Sequence, residues 1–168
     1  MACRGVHFAI TVEEAEHLRS IKDEEERINH LKEVIMEFYF DKQPELKAES
    51  DKAWDAIHRA LTDGQITWDK GFYPFNHVVL GGELLYTEDD YIMSLKGPEQ
   101  VRDIAEALSV ITEEEFRRRY FAIDQESYDF SPLSDEDYQY TLGWFQEVRD
   151  LYQRAARDGR CVLFPVDQ

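Results

Sequence analysis

The stretch WDAIHRALTDG, residues 54–64, decides how the middle of this chain folds. Trp54, Ile57, His58 and Leu61 stand at positions i, i+3, i+4 and i+7, the spacing that places four side chains on one face of an α-helix. Gly64 follows, and glycine is the usual residue in the left-handed conformation that ends a helix. The pattern predicts a helix over residues 51–62 with one buried face.

His58 has two interpretations. A histidine on the apolar face of a helix is usually buried, with its ring nitrogens bonded to backbone or to a carboxylate. Beside a tryptophan and near a Gly-Gly turn, it could instead line a cleft in which aromatic walls and a few polar groups bind a small ligand. The candidate pocket consists of Trp54, His58, Asn76, His77, Gly81 and Gly82.

The rest of the chain predicts an α+β fold. Short apolar or alternating runs predict four strands, two at the termini and two central: GVHFAIT (5–11), HVVLGG (77–82), YIMSL (91–95) and CVLFPV (161–166). Helical spacing and capping patterns predict about six helices around them. We expect a single mixed domain over residues 1–168, with the last strand next to the first.

Two local predictions complete this fold. The apolar residues Ile28, Leu31, Ile35 and Phe38 recur every three or four positions, which predicts the buried face of a helix ending near Phe40. The polar segment DKQPELKAES, residues 41–50, is interpreted as a connector because it contains a proline and lacks a periodic apolar pattern.

Charge is the strongest anomaly in the composition. The chain contains 36 Asp and Glu against 19 Lys and Arg, for a net charge of −17. Such a chain repels the phosphate backbone of nucleic acid and anionic membranes, which argues against both as partners. An acidic surface favours encounter with a basic protein partner, although charge can also serve solubility alone. The acidic clusters are Glu24, Glu25 and Glu26; Glu88, Asp89 and Asp90; and Asp135, Glu136 and Asp137.

Motifs for metal, cofactor and nucleophilic chemistry are missing from the sequence. The five histidines show no metal-ligand spacing, and neither a dinucleotide fingerprint nor a phosphate-binding loop occurs, so no metal or cofactor is expected. Neither Cys3 nor Cys161 belongs to a CxxC pair or has an identifiable histidine partner. Two cysteines and no long apolar run are typical of a soluble cytoplasmic protein.

The order of several motifs resembles a known family. These motifs are WDAIHRALTDG, HVVLGG, YIMSL followed by PEQVRDIAEAL, FRRRY, and YQRAARDGRCVLF. Together they resemble the YfbM-like family, a bacterial family of unknown function, over roughly residues 4–164. The resemblance is specific because the motifs WD-x-x-H-x-x-L-T-x-G and L-G-G occur together. The resemblance implies an α+β fold and supplies no catalytic residues.

Two functional hypotheses from different classes follow. The first is a non-enzymatic acidic binding protein, such as an inhibitor or immunity-type protein that holds a basic protein partner. The second is a small-ligand-binding protein or enzyme with its pocket around Trp54, His58 and His77. A contiguous acidic face without a deep cleft would favour the first, whereas evenly spread charge and a deep pocket would favour the second. The oligomeric state stays open.

Overall fold

The fold is a five-stranded antiparallel sheet packed with six helices, seen in a computed structural model that describes residues 3–67, 69–88 and 90–167. The α+β prediction is therefore confirmed, with one strand more than expected. The strands are β1 (Gly5–Ile10), β2 (Lys47–Asp51), β3 (Glu83–Leu84), β4 (Tyr91–Lys96) and β5 (Cys161–Asp167).

Five of the helices are regular and one contains a π-helical turn. The regular ones are α1 (Val12–Ser20), α3 (Ala53–Leu61), α4 (Pro98–Ser109), α5 (Glu113–Phe121) and α6 (Asp135–Arg157). The remaining helix, α2, runs from Glu24–His30 through the π-helical turn Leu31–Met36 into Glu37–Lys42 without leaving the helical conformation. The helix predicted from WDAIHRALTDG is thus present as α3.

The C-terminal strand β5 lies at the centre of the sheet, whose order is β2-β1-β5-β4-β3. It pairs with β1 through Cys161–Leu163 and with β4 along its whole length. The expected neighbourhood of the two terminal strands is therefore confirmed. Residues 161–166 are all buried because helices cover both faces of the sheet.

Adjacent residues of β1 show which helix covers each face of the sheet. Successive side chains of a strand point to opposite faces. Phe8 contacts Tyr39 of α2, with ring centroids 5.9 Å apart, whereas His7 contacts Tyr152 of α6 at the same distance. Both His7 and Phe8 are completely buried. A polar side chain on the α6 face must therefore find its hydrogen-bond partners inside the protein.

The predicted strand HVVLGG is wrong, because this segment forms turns. Phe75–His77 is a short 3-10 helix, and the amide of Gly81 donates to the carbonyl oxygen of Asn76 at 2.9 Å. The carbonyl groups of Val78 and Val79 accept hydrogen bonds from buried side chains instead of from a neighbouring strand. The apolar residues of the segment are buried as predicted, but the hydrogen bonds to its carbonyl groups come from side chains and not from a neighbouring strand.

Two other predictions need correction. Residues 47–51, interpreted as part of a connector, form strand β2 at the edge of the sheet, where small side chains at Ala48 and Ser50 are buried against the core. Phe38, predicted on the buried face of α2, is 44% exposed, and Tyr39 is buried in its place. The wide π-helical turn before them shifts the buried face along the sequence.

Within the described residues, no helix combines the length and apolar character that are needed to cross a membrane.

Candidate functional site

Trp54 of the candidate pocket is a core residue. Its side chain is 3% exposed and its ring centroid lies 6.0 Å from that of Phe164. The indole N–H donates to the carbonyl oxygen of Cys3 at 2.9 Å, which satisfies its one polar atom. Its edge contributes to a surface cleft of about 300 Å³ beside Ile66 and Phe130.

His58 is buried on the same helical face and is 1% exposed. Its Nε2 lies 2.7 Å from the carbonyl oxygen of Thr67, so Nε2 carries the hydrogen and donates it. Its Nδ1 is buried and has no hydrogen-bond partner within the described part of the chain. Burial lowers the pKa of His58 to about 4, so the ring is neutral at physiological pH.

The remaining predicted pocket residues lie in the 3-10 helix Phe75–His77 and in the turn that follows it. His77 Nδ1 lies 2.7 Å from Asn76 Oδ1. A Cβ atom at Gly81 would collide with the backbone oxygen of Asn76, and one at Gly82 would lie 2.5 Å from the carbonyl oxygen of Leu95. Gly82 also has a φ of +119°, which disfavours other residues. The two glycines therefore let the turn lie directly on β4.

Lys96 occupies the interior between this turn and the sheet, and sequence reasoning did not identify it. The side chain is completely buried. Its Nζ donates to the carbonyl oxygen of Val79 at 2.5 Å and to Ser94 Oγ at 2.6 Å, and Ser94 Oγ donates to the same carbonyl at 3.0 Å. Burial without a counter-charge sets the pKa of Lys96 well below its ordinary value.

The pairing of β4 with β5 explains why Lys96 lies in the interior. Ser94 and Lys96 point to one face of β4, and Ser94 stands opposite Phe164 of β5. The Phe164 ring centroid lies 5.6 Å from Lys96 Nζ and 4.6 Å from the His7 ring centroid. Lys96, Ser94, Phe164 and His7 therefore share the face of the sheet that α6 covers.

His7 is the second buried group that sequence reasoning did not select. Its Nε2 lies 2.8 Å from the carbonyl oxygen of Val78, and its Nδ1 is buried without a partner among the residues described. Burial lowers the pKa of His7 to about 3, and a charge on Lys96 would lower it further. Burial also lowers the pKa of His77, and Lys96 acts on it in the same direction. We call His7, His58, His77, Ser94 and Lys96 the interior cluster.

The sequence contains a weak signal about the position of Lys96, and it predicts the wrong environment. In YIMSLK, residues 91–96, the apolar residues Tyr91, Met93 and Leu95 alternate with Ile92, Ser94 and Lys96. This alternation predicts that Lys96 faces solvent, as on a sheet covered on one side. The prediction fails because helices cover both faces. Of the predicted pocket residues, the structure places Gly82 against the Lys96 stem, and His58 and His77 within the electrostatic range of Lys96.

A buried ion pair stabilises the C-terminal half of α3. Arg59 Nε lies 2.5 Å from Asp55 Oδ1, and both side chains are 7% exposed. Arg59 also donates to the carbonyl oxygen of Gly64 and to Ser127 Oγ, each at 3.1 Å. Clefts of about 250 and 440 Å³ adjoin Arg59 on the surface. Because Asp55 balances the charge of Arg59, the other hydrogen bonds of Arg59 serve to hold the loop that follows α3.

Metal ligands are not assembled in the described residues, where no group of three or more His, Cys, Asp or Glu side chains could hold an ion. Cys3 and Cys161 are both free thiols. The functional groups of the interior cluster are therefore one amine, three imidazole rings and one hydroxyl.

The first two predicted acidic clusters lie next to each other. The carboxylate of Glu24 accepts hydrogen bonds from Thr87, at 3.4 Å from its amide and 3.1 Å from its hydroxyl. Burial raises the pKa of Tyr86, and the charges of Asp90, Glu88 and Glu24 raise it further, so these carboxylates lie within electrostatic range of one phenol. Asp89 lies outside the described residues. We call the following residues the acidic surface: Asp23, Glu24, Glu25, Glu26, Glu88 and Asp90.

The third predicted acidic cluster is largely occupied by internal contacts. Asp137 accepts hydrogen bonds from Tyr120 at 2.5 Å and Tyr128 at 3.1 Å, and Asp135 pairs with Arg117 at 2.5 Å. Glu136 is exposed. In contrast, none of the six carboxylates of the acidic surface pairs with a Lys, Arg or His within the described residues.

Comparisons with known proteins agree with this fold. A family model described as a domain of unknown function, DUF1877, matches residues 1–165. A crystal structure of YfbM, a protein of unknown function from Escherichia coli, is 22% identical, covers 97% of this chain and 99% of its own, and has a TM-score of 0.60. At that identity the likeness shows the fold alone. No curated protein matches the chain. The resemblance to the YfbM-like family is confirmed, and the chain belongs to the DUF1877 family of unknown function.

Proposed function

We propose that this protein binds a basic protein partner through the acidic surface, as an inhibitor or immunity-type protein would. The observation that carries the proposal is the bond from Thr87 to Glu24, which brings two acidic segments together although they are 63 residues apart in sequence. Their carboxylates then act as one charged surface, and their fields add.

The lack of internal ion pairs supports a role in recognition. Arg27 is the nearest arginine in sequence, and its hydrogen bonds go to the backbone carbonyl groups of Leu18, Ile21 and Leu85. It thereby fixes the start of α2 against the segment that leads into residues 86–90. The carboxylates around it stay available for the cationic side chains of a partner.

The alternative pocket around Trp54, His58 and His77 receives less support as an open site. Trp54 and His58 are 3% and 1% exposed. The tryptophan N–H and the histidine Nε2 are both engaged by backbone oxygens. A ligand would therefore have to displace packed core contacts to reach them.

The test begins with affinity capture of the partner from the native cell. Reversal of Glu88, Asp89 and Asp90 to lysine should lower the association rate at least about tenfold at low salt, because long-range attraction accelerates encounter. Stopped-flow measurements across a salt series would measure this. The matched control reverses Glu106, Glu114 and Glu147, which are exposed on α4, α5 and α6 and change the net charge by the same amount.

Two results would contradict the proposal. One is that no partner is captured. The other is a captured partner whose association rate responds neither to the reversal nor to salt. An equal effect of the control triple would show that only net charge matters and would exclude a role for the acidic surface itself.

A further inference from the structure

Lys96 is a primary amine enclosed in the core without an opposite charge. We propose that Lys96 is a nucleophile that forms an imine with a small carbonyl compound, an aldehyde or an α-keto acid. This inference uses none of the residues of the acidic surface. It can therefore hold or fail independently of the proposed function.

The hydrogen bonds of Lys96 match those of a neutral amine. Such an amine has two N–H donors and one lone pair, and both donors are used, on Val79 O and Ser94 Oγ. A charged ammonium would carry a third N–H, for which the described residues provide no acceptor. The lone pair needed for attack on a carbonyl carbon is therefore present and free of hydrogen bonds within the described residues.

The surroundings favour the neutral state from every side. His7 of β1, His58 of α3 and His77 of the 3-10 helix lie within electrostatic range of Lys96, and Tyr152 of α6 donates its hydroxyl hydrogen to Val78 O at 2.7 Å. Among the described residues, no Asp or Glu forms a hydrogen bond or an ion pair with Lys96. Burial alone accounts for its lowered pKa. An amine in such surroundings loses its proton more readily than an exposed lysine does, and the neutral amine is the form that attacks a carbonyl carbon.

The same histidines can carry the protons of the reaction. Nζ attacks the carbonyl carbon to form a C–N bond, and the carbonyl oxygen takes up a proton. The resulting hydroxyl leaves as water after a second protonation, while nitrogen loses its hydrogens to the base. The balance is R₂C=O plus R′NH₂ giving R₂C=NR′ plus H₂O. The buried Nδ1 atoms of His7 and His58 have no partner in the described structure, so they are available as proton carriers.

The enclosure limits the size of the carbonyl compound. A Cβ atom at Gly82 would lie 3.6 Å from Lys96 Cδ, so the turn packs directly on the lysine stem. A carbonyl compound reaches Nζ when this turn, residues 75–82, moves away from β4. Because Lys96 is completely buried, the proposal is restricted to compounds of a few carbon atoms.

Reductive trapping tests the proposal on the whole chain. The protein is incubated at pH 6.5 with sodium cyanoborohydride and either propionaldehyde or glyoxylate, and the modified lysines are mapped by peptide mass spectrometry. Lys96 should be modified at least about tenfold faster than any of the six other lysines. Reaction with propionaldehyde alone would identify a neutral aldehyde, and reaction with glyoxylate alone would identify an α-keto acid.

A pH series supplies the readout that a purely structural lysine would not show. The trapping rate at Lys96 should change less with pH than the rates at the exposed lysines, because burial lowers the pKa of Lys96 well below its ordinary value. Lys96→Met should abolish the fast modification, and Lys47→Met, at another strand lysine, should leave it intact. If Lys96→Met fails to fold, the pH series of the unaltered protein still decides. Modification of the other lysines with Lys96 unmodified or no faster would overturn the proposal.

Discussion

The interior cluster and the acidic surface both consist of ionisable side chains, but their surroundings give them opposite properties. In the cluster, burial lowers the pKa values of His7 and His58 to about 3 and 4, and their hydrogen bonds go to backbone carbonyl groups. On the surface, the carboxylates of Glu25, Glu26 and Glu88 face water. Burial therefore favours the neutral forms of ionisable side chains, whereas carboxylates exposed to water keep the charge that gives long-range attraction.

The largest expected effect comes from removing β5, which carries the Phe164 ring beneath the interior cluster. Deletion of residues 160–168 should give unfolded or insoluble protein, because it exposes the edges of β1 and β4 and removes buried side chains. All residues of the acidic surface remain in the shortened chain. Circular dichroism and solubility would measure the effect. Removal of only residues 167–168 is the control, and normal folding of the longer deletion would contradict the assigned sheet.

A smaller effect is expected at Trp54, which packs on Phe164. Trp54→Ala should lower the free energy of unfolding by about 3 to 5 kcal/mol, as for other large buried aromatic residues. Urea denaturation would measure this change. Trp144→Ala is the matched control, since Trp144 is only partly buried against the core and should lose less. A loss below about 1 kcal/mol at Trp54 would show that it is not a core residue.

The smallest of these effects, taken per pH unit, concerns protons in the interior cluster. His7 and His58 have folded-state pKa values below their unfolded value of 6.5, so the unfolded chain binds more protons as the pH falls below 6.5. The free energy of unfolding should therefore decrease between pH 6.5 and 4, by about 1.4 kcal/mol per pH unit for each histidine.

Substitution separates this effect from general acid denaturation. His58→Gln should remove about half of the histidine part of the slope, while its amide can still donate to Thr67 O. Exposed His17→Gln is the control and should leave the slope unchanged. Urea denaturation at several pH values would measure both. Equal slopes for the two variants would mean that His58 is not held neutral in the core.

The sequence predicted the elements that have strong local signals. Thr11 forms the predicted capping box with Glu14, and Ser134 caps the long helix α6. The spacing of Trp54, Ile57, His58 and Leu61 located α3 and its buried face. The membership in the family also followed from the order of such motifs. Helical periodicity and caps depend on neighbours within a few residues, so the sequence alone contains them.

Other features depended on contacts between distant segments. β2 has little apolar pattern and exists because β1 offers it a hydrogen-bonded edge. The run HVVL is apolar enough for a strand, but side chains from β1, β4 and α6 satisfy its carbonyl groups and allow a turn. Of the predicted pocket residues, Asn76, His77, Gly81 and Gly82 contact one another or β4, whereas Trp54 packs on Phe164. Lys96 was missed because a lysine in an alternating strand is expected to face water.

The sequence by itself determined the α+β class, the helices with caps and periodic faces, the strand CVLFPV next to the first strand and the net charge of −17. Tertiary structure decided that Lys96 is buried among histidines and that Glu24 meets Thr87 beside the second acidic segment. The physical reason is the distance in sequence over which each effect acts. Helix caps and periodicity depend on residues within one or two helical turns. Burial and the addition of charges depend on which distant segments the fold brings together.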